Sequence, residues 1–367
     1  MPSRIVLYGA TGYTGDLTAR ALVERGAKPV HAGRSADKLE KLAAELGGGL
    51  ETATADVSNP ASVRALLEKG DVLITTVGPF VRFGAPAVEA AIGAGATYLD
   101  STGEPAFIRR VFEEWGPRAV RADVALLTAM GYDWVPGNLA GSLALTEAGD
   151  AATKVRSAYF TAGPFGPSGG TRASAAGALI EPGFAYRDGR MVTERGAKRV
   201  RSFQVAGKEK QALSAASSEH FTLPRSFPHL TEVDAYLGWF GDRTKAMSIG
   251  SAVMTGMFRI PGAKAGANAL IARSIKGSTG GPSAEQRSKS GSYVIGEALD
   301  SAGKVLASVH VEGADGYDFT AGMLAWAAIH AAETPIEATG AIGPVEAYGL
   351  ETLEAGAADA GIKRRGA

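Results

Sequence analysis

Short apolar runs alternate with amphipathic stretches through the first third of the chain. Residues 5–8 (Ile-Val-Leu-Tyr) predict a strand, and 15–25 a helix stopped by Gly26. The same alternation predicts strands over 28–32, 52–55, 71–77, 97–99 and 124–127. Helices are expected between them at 37–46, 59–69, 85–94 and 105–119, with Pro60 at a first-turn position after an Asn59 cap. Strands and helices in strict alternation imply a parallel, doubly wound sheet.

The pattern changes after Gly131. Strands are expected at 154–161, 199–204, 292–299 and 304–312, separated by helices and by long Gly- and Pro-rich loops. Such irregular order suggests an α+β domain. The chain then divides into a parallel α/β domain (1–130), an α+β domain (131–330) and a C-terminal segment expected to pack back on the first domain (331–367). Helices are expected over 319–332 and 350–360. Residues 276–291 (KGSTGGPSAEQRSKSG) read as a mobile surface loop or a lid over a substrate. The apolar residues of 248–271 suit either the second domain's core or a homodimer contact.

Composition narrows the classes. Lys plus Arg equals Asp plus Glu at 38 each, so the general basic excess that nucleic-acid binding demands is missing and no nucleic-acid partner is expected. There is no cysteine, which removes disulfides, thiolate metal sites and a cysteine nucleophile. No run approaches the ~20 apolar residues of a membrane helix, and the N-terminal apolar stretch is too short for a signal-peptide core. The expectation is a cytoplasmic protein without a transmembrane segment.

Gly9-Ala-Thr11-Gly12-Tyr13-Thr14-Gly15 lies between the first strand and the first helix. A tight turn there needs glycine's backbone freedom, and a diphosphate must approach amides that no side chain covers. The helix start adds free N–H groups and a partial positive charge. An NAD site usually ends its second strand with an acid about 20 residues past the glycines. Here the sequence reads Ala32-Gly-Arg34-Ser35-Ala-Asp-Lys38. Arg34, Ser35 and Lys38 stand where a 2′-phosphate would lie, which favours NADP, or they are solvated surface groups. Asp56 and Val57 are placed to border the adenine. Val77, Gly78, Pro79 and Phe80, after the fourth strand, are placed near the ribose and nicotinamide, although Phe80 equally suits core packing.

GATGYTG at 9–15, AGRS at 32–35, TTVGPFVRFG at 75–84, YLDSTGE at 98–104 and GYDWVPGNLAG at 131–141 together resemble the saccharopine dehydrogenase-like reductases. Ser168–Thr171 and GYDFTAGML at 316–324 extend the likeness, which is nearer to the branch of trans-acting enoyl reductases. The resemblance implies a Rossmann domain with an inserted substrate domain and a C-terminal return. It also implies NADP-dependent reduction of a C=N or conjugated C=C bond, in the trans-acting branch on polyketide or lipid intermediates. The chain is shorter than the true saccharopine enzymes, which speaks against saccharopine itself.

Hydride transfer often needs an acid to protonate the partner atom. None of the ten tyrosines has a lysine four residues later, so the Tyr-x-x-x-Lys device of short-chain dehydrogenases is absent. Tyr132 and Asp133, beyond the sixth strand at the edge where open parallel sheets bind ligands, are the candidate catalytic residues. Asp100, Thr102 and Glu104 follow the fifth strand in the same way. Asp133 equally suits a turn cap before Pro136, and Ser168–Thr171 a helix cap. His220, His229 and His310 are isolated, and nothing has metal-ligand spacing, so no metal is expected. Residues 187–210 carry eight cations against three acids. They form a solvated face or attract a carrier protein, a coenzyme A phosphate or an anionic membrane. Two other functions share the pattern: an imine- or opine-type reductase, which would need paired cations facing the nicotinamide, and a non-catalytic NADP(H) sensor.

Overall fold

Ile5 and Leu7 face one side of β1 (Ile5–Tyr8), Val6 and Tyr8 the other, and both sides are buried. A strand apolar on both faces belongs inside a parallel sheet covered by helices. The computed structural model describes residues 3–163, 166, 168–169, 182–258, 260, 266 and 280–366. The further strands of this sheet are β2 (Val30–Gly33), β3 (Thr52–Thr54), β4 (Val72–Thr75), β5 (Thr97–Asp100) and β6 (Ala125–Leu127). Their order is β3-β2-β1-β4-β5-β6 and all pairs are parallel. This is the doubly wound order, with its crevice where β1 lies between β2 and β4.

Two expected helices take a different form. The one at 59–69 spans only Pro60–Arg64, because the chain turns to bury Leu66 and Leu67 before Gly70. The one at 105–119 runs on to Ala122 but widens into a π-helical turn over Val111–Trp115. Pro117 has no N–H, and its ring would crowd the Glu113 carbonyl in a regular α-helix.

Beyond residue 150 the chain builds a mixed sheet from β7 (Lys154–Ala162), β8 (Phe184–Arg187), β9 (Arg190–Thr193), β10 (Val200–Val205), β11 (Lys208–Ala215), β12 (Glu232–Leu237), β13 (Gly291–Leu299) and β14 (Val305–Gly313). The strands β8, β9, β11 and β12 were not expected. Tight hairpins join β8 to β9 through Asp188-Gly189 and β10 to β11 through Ala206-Gly207. All four turn residues have positive φ, as two-residue turns matched to strand twist require.

The helix Val135–Ala148 lies on β13 and β14 and is buried along most of its length. Gly296 permits this approach, since a Cβ there would come within 2.3 Å of the Ala140 backbone. The helix Gly316–Glu333 packs on the first helix of the parallel sheet, Tyr13–Glu24. The chain then returns to both sheets. β15 (Gly340–Ala341) extends the parallel sheet beside β6, and β16 (Ile362–Arg364) pairs with β14. One apolar core runs from Leu7 and Ile74, through Phe319 and Leu139, to Val155 and Val294. The fold is therefore a Rossmann sheet joined through a continuous core to a second, mixed-sheet domain.

The segment 248–271 is not core where it is described. Ile249, Val253 and Met257 of the helix Thr244–Met257, and Ile260 beyond it, are exposed. Residues 276–279 lie outside the described residues, whereas 280–290 are anchored: Ser283 and Gln286 form a capping box for the turn Ala284–Ser288.

Candidate functional site

The glycine turn is shaped by close backbone approach. Gly9 has a φ of +93°, and a Cβ on it would meet Thr76 Oγ1 at 2.7 Å. A Cβ on Gly15 would lie 2.0 Å from the Gly9 carbonyl oxygen, so only glycine lets the helix start this close to the strand end. Gly12 occupies the N-cap position of the helix Tyr13–Glu24 and supplies no side-chain cap. The first-turn amides of Tyr13, Thr14 and Gly15 thus lack the usual capping oxygen, which suits an anion. Thr11 is exposed on the same turn.

Beyond β2, Arg34 is exposed and forms no ion pair among the described residues. Ser35 is the N-cap of the helix Ala36–Glu45, yet its hydroxyl makes no capping bond. A free guanidinium, a free hydroxyl and an uncapped helix start on consecutive residues suit a phosphate dianion. Lys38 is exposed one turn further on.

Asp56 and Val57 follow β3 and are half-buried. Hydrogen bonds from the Ser58 backbone N–H and hydroxyl, each 2.7 Å, hold the Asp56 carboxyl below its ordinary range. After β4, Val77, Gly78 and Pro79 are half-buried. Phe80 is buried against Phe107 with ring centroids 5.5 Å apart, which is a core position. Glu104 fixes this loop by accepting from the Phe80 N–H (2.7 Å) and the Val81 N–H (2.9 Å).

A cavity of about 110 Å³ opens at the carboxyl edge of the parallel sheet. That exceeds the roughly 10–15 Å³ one water needs, so part of a ligand can enter. Thr14, Ser101, Tyr132 and Asp133 wall it on the Rossmann side. Thr161, Trp239, Ser290, Asp315 and Tyr317 wall it on the other. No lysine or arginine lines it among the described residues.

Tyr132 and Asp133 come together here, held by helix Gly316–Glu333: the Tyr132 N–H donates to Thr320 Oγ1 (3.0 Å). The Tyr132 hydroxyl donates to the Phe160 carbonyl (3.1 Å), and burial raises its pKa. Asp133 is half-buried, and loss of water contact pushes its carboxyl up to about 7. Asp100 does other work. Its carboxylate accepts from the N–H groups of Thr102 (2.8 Å) and Ala129 (2.9 Å) and from the Thr128 hydroxyl (2.8 Å). It thereby ties the ends of β5 and β6 together; burial pushes it up to about 6 against these bonds.

Several site residues carry no sequence signal. Arg287 donates to the Tyr13 hydroxyl (3.0 Å) and pairs with Asp318 (2.6 Å), while the Tyr13 hydroxyl donates to the Pro282 carbonyl (2.6 Å). The described part of the expected loop or lid is thus fastened to the glycine turn. Tyr317 stands edge-on to Tyr13 and accepts from the Ser168 N–H (2.7 Å). Thr171 lies outside the described residues. His220 and His310 bond to Ser217 and Tyr293 away from the cavity wall, and His229 is exposed. Among the described residues, no group of three His, Asp or Glu is placed to hold a metal.

The chain is similar to known proteins in sequence and in fold. A trans-acting enoyl reductase of Mycobacterium leprae is 39% identical over 140 residues, covering 37% of this chain and 34% of that protein. The trans-acting enoyl reductase of Mycobacterium tuberculosis is 38% identical over the same length, again 37% and 34%. The matches span about a third of those relatives. Among solved structures, saccharopine dehydrogenase (L-Glu forming) of Saccharomyces cerevisiae superposes with a TM-score of 0.61 at 14% identity, over 99% of both chains, so the expected shortfall in length against saccharopine enzymes is not seen with this one. Homospermidine synthase of Legionella pneumophila gives 0.60 at 10% identity, over 98% of this chain and 90% of that one. These two establish the fold. Residues 5–127 match the family model of the saccharopine dehydrogenase NADP binding domain, so this part of the chain is an NADP-binding Rossmann domain.

Proposed function

We propose that this chain is an NADP-dependent oxidoreductase that reduces the conjugated C=C bond of a polyketide- or lipid-like intermediate, presented as a carrier- or coenzyme A-linked thioester. The observation that carries this reading is the cavity beside the glycine turn, with the Asp133 carboxyl on its wall and no cation among its described lining residues. A dicarboxylate amino-acid adduct would need facing cations, so the lining favours a neutral acyl chain over an imine- or opine-type substrate. The enoyl reductases among the relatives point the same way.

Bound NADPH would supply a hydride to the β-carbon. The electron pair of the double bond then moves toward the α-carbon and its thioester carbonyl. Asp133, protonated below about pH 7, gives its proton to the α-carbon and is left as a carboxylate that recovers a proton from water. Tyr132, with its hydroxyl engaged by the Phe160 carbonyl, forms the neutral wall that holds the acyl group. Gly9, Thr11, Gly12, Tyr13, Thr14 and Gly15 would take the diphosphate, and Arg34, Ser35 and Lys38 the 2′-phosphate. Asp56 and Val57 would border the adenine, with Val77, Gly78 and Pro79 near the ribose and nicotinamide and Phe80 as packing beneath them.

The test is NADPH consumption by the purified protein with a panel of enoyl-coenzyme A thioesters of increasing chain length, beside imines formed from an amino acid and an oxo acid. Turnover of the enoyl thioesters supports the proposal. Turnover of the imines alone replaces it with the opine-type reading. Tight NADPH binding without any turnover leaves a sensor.

A further inference from the structure

The helix Thr244–Met257 carries no charge between Lys245 and its end. Ile249, Val253 and Met257, at every fourth position, are 67%, 57% and 55% exposed, and Ile260 just beyond is 61% exposed. A solvent-facing helix normally turns charged residues outward. Here the inner face is the one with polar anchors: the Ser248 hydroxyl donates to the Ala197 carbonyl (2.6 Å) and that of Ser251 to the Gly196 carbonyl (2.7 Å). Those anchors fix the helix with its apolar stripe outward.

Arg243 and Lys245 stand at the start of the helix, in a chain whose net charge is zero. The helix packs against β10 and β11, within the basic stretch 187–210. Part of that stretch is neutralised, since Arg187 and Arg199 pair with Glu194 and Asp234, and Lys198 with Glu194. Arg201, Lys208 and Lys210 on β10 and β11, with Arg243 and Lys245 at the helix start, have no ion-pair partner among the described residues. The unpaired acids beside them are Glu209 and Asp242.

We infer that this face docks on an anionic lipid surface, with Ile249, Val253, Met257 and Ile260 entering the acyl boundary and the surrounding cations meeting the headgroups. Apolar residues ringed by Lys and Arg are what interfacial attachment requires. A helix of 14 residues is about 21 Å long and cannot cross a hydrocarbon core of about 30 Å, so it lies along the interface. A second copy of the chain is the poorer occupant. A twofold contact would bring the same cation-rich patch against itself, whereas anionic headgroups attract it.

The inference stands apart from the reaction and is tested without a substrate. The full chain is sedimented with phosphatidylglycerol–phosphatidylcholine vesicles and with pure phosphatidylcholine vesicles, at low and raised salt. A variant carrying Ile249→Ser, Val253→Ser and Met257→Ser is run in parallel, with NADPH binding as the check that it is folded. The expected result is binding to the anionic vesicles that weakens with salt and falls by about tenfold or more in the variant. Wild-type protein that stays in the supernatant, or a variant that binds equally well, overturns the inference. So does a wild-type dimer that the variant turns into monomer with no vesicle binding in either.

Discussion

The Asp133 carboxyl sits over Gly103, so close that a Cβ built on that glycine would lie 2.5 Å from Asp133 Oδ2. Gly103 follows β5 and Asp133 follows β6, so the space one leaves is filled by the acid of the other. Replacing Gly103 with Ala must push the carboxyl off the cavity wall. A displacement of this size at a reacting group lowers kcat by on the order of tenfold or more, while the glycine turn, which the new methyl does not meet, keeps its NADPH affinity. Steady-state kinetics and NADPH titration of Gly103→Ala separate the two effects; a variant with normal kcat would show that the position of Asp133 does not matter.

Asp133 also sets a pH dependence. Burial raises its carboxyl to about 7, so the group is protonated below that pH and ionised above it. As the proposed proton donor it is active in the low-pH form. Turnover is therefore expected to fall as pH rises through about 7, and in Asp133→Asn to be low at every pH without that step. A pH–rate profile of both proteins decides, and the same falling limb in the variant would assign the proton to another group.

Arg34 is the group expected to distinguish the nucleotides. Hydrogen bonds between charged partners contribute about 1.5–3 kcal/mol, so Arg34→Ala should weaken NADPH binding roughly ten- to hundredfold. NADH, which lacks the 2′-phosphate, should bind the variant as it binds the wild type. Fluorescence titration of both nucleotides against both proteins measures this, and a parallel loss for NADH would mean that Arg34 acts on the fold instead.

What the sequence made legible is what short-range geometry controls. Gly9 and Gly15 are tied to each other within a single turn, so their spacing alone carries the requirement, seen in the 2.0 Å that would separate a Cβ on Gly15 from the Gly9 carbonyl oxygen. Arg34 lies exposed just after a strand, as its position in the sequence implies. The cavity was not legible in the same way. Thr14, Asp133, Trp239, Ser290 and Asp315 meet only because two sheets pack together, and no local pattern encodes that distance. The hairpins are a different case. Asp188-Gly189 is a strong two-residue turn signal, but the arginines around it drew attention as a charged face. Arg187 and Arg199 in fact turn toward Glu194 and Asp234. Burial pushes the Glu194 carboxyl upward, yet its bonds to Arg199 and Lys198 outweigh this and hold it near 2.

That cluster predicts a pH dependence of stability. Because the folded-state value of Glu194 lies below its unfolded one, its contribution is fully present above about pH 4.5 and lost as pH falls toward 2. Glu194→Gln should therefore destabilise the protein at pH 7, where Arg199 loses its closest counter-charge, and matter least at the acid end. Urea denaturation at pH 7 and at about pH 2, where the folded-state carboxyl titrates, gives both values, and a variant as stable as the wild type at pH 7 would show that the cluster contributes nothing net.

Glu219 predicts the opposite slope. It is fully buried, its Oε1 accepts from the hydroxyls of Tyr159 (2.7 Å) and Ser157 (3.0 Å), and burial pushes it up to about 7. The same Tyr159 hydroxyl lies 3.0 Å from the Trp134 carbonyl and accepts from the Gly137 N–H (2.8 Å), so this pair braces the chain just after Asp133. Between about pH 4.5 and 7 the folded state holds a proton that the unfolded chain releases, so stability drops as pH rises. Glu219→Gln keeps the shape and most of the hydrogen bonds and has no charge to bury. It should be less sensitive to pH over that window and gain relative to wild type toward pH 8. Tyr159→Phe, by contrast, leaves the Gly137 N–H unpaired and Glu219 with the Ser157 hydroxyl in place of two donors on Oε1, at a cost of about 1–3 kcal/mol at any pH. Urea midpoints of the three proteins at pH 5 and pH 8 test both statements. If Glu219→Gln tracked the wild type with equal slope, Glu219 would not be the group that takes up the proton.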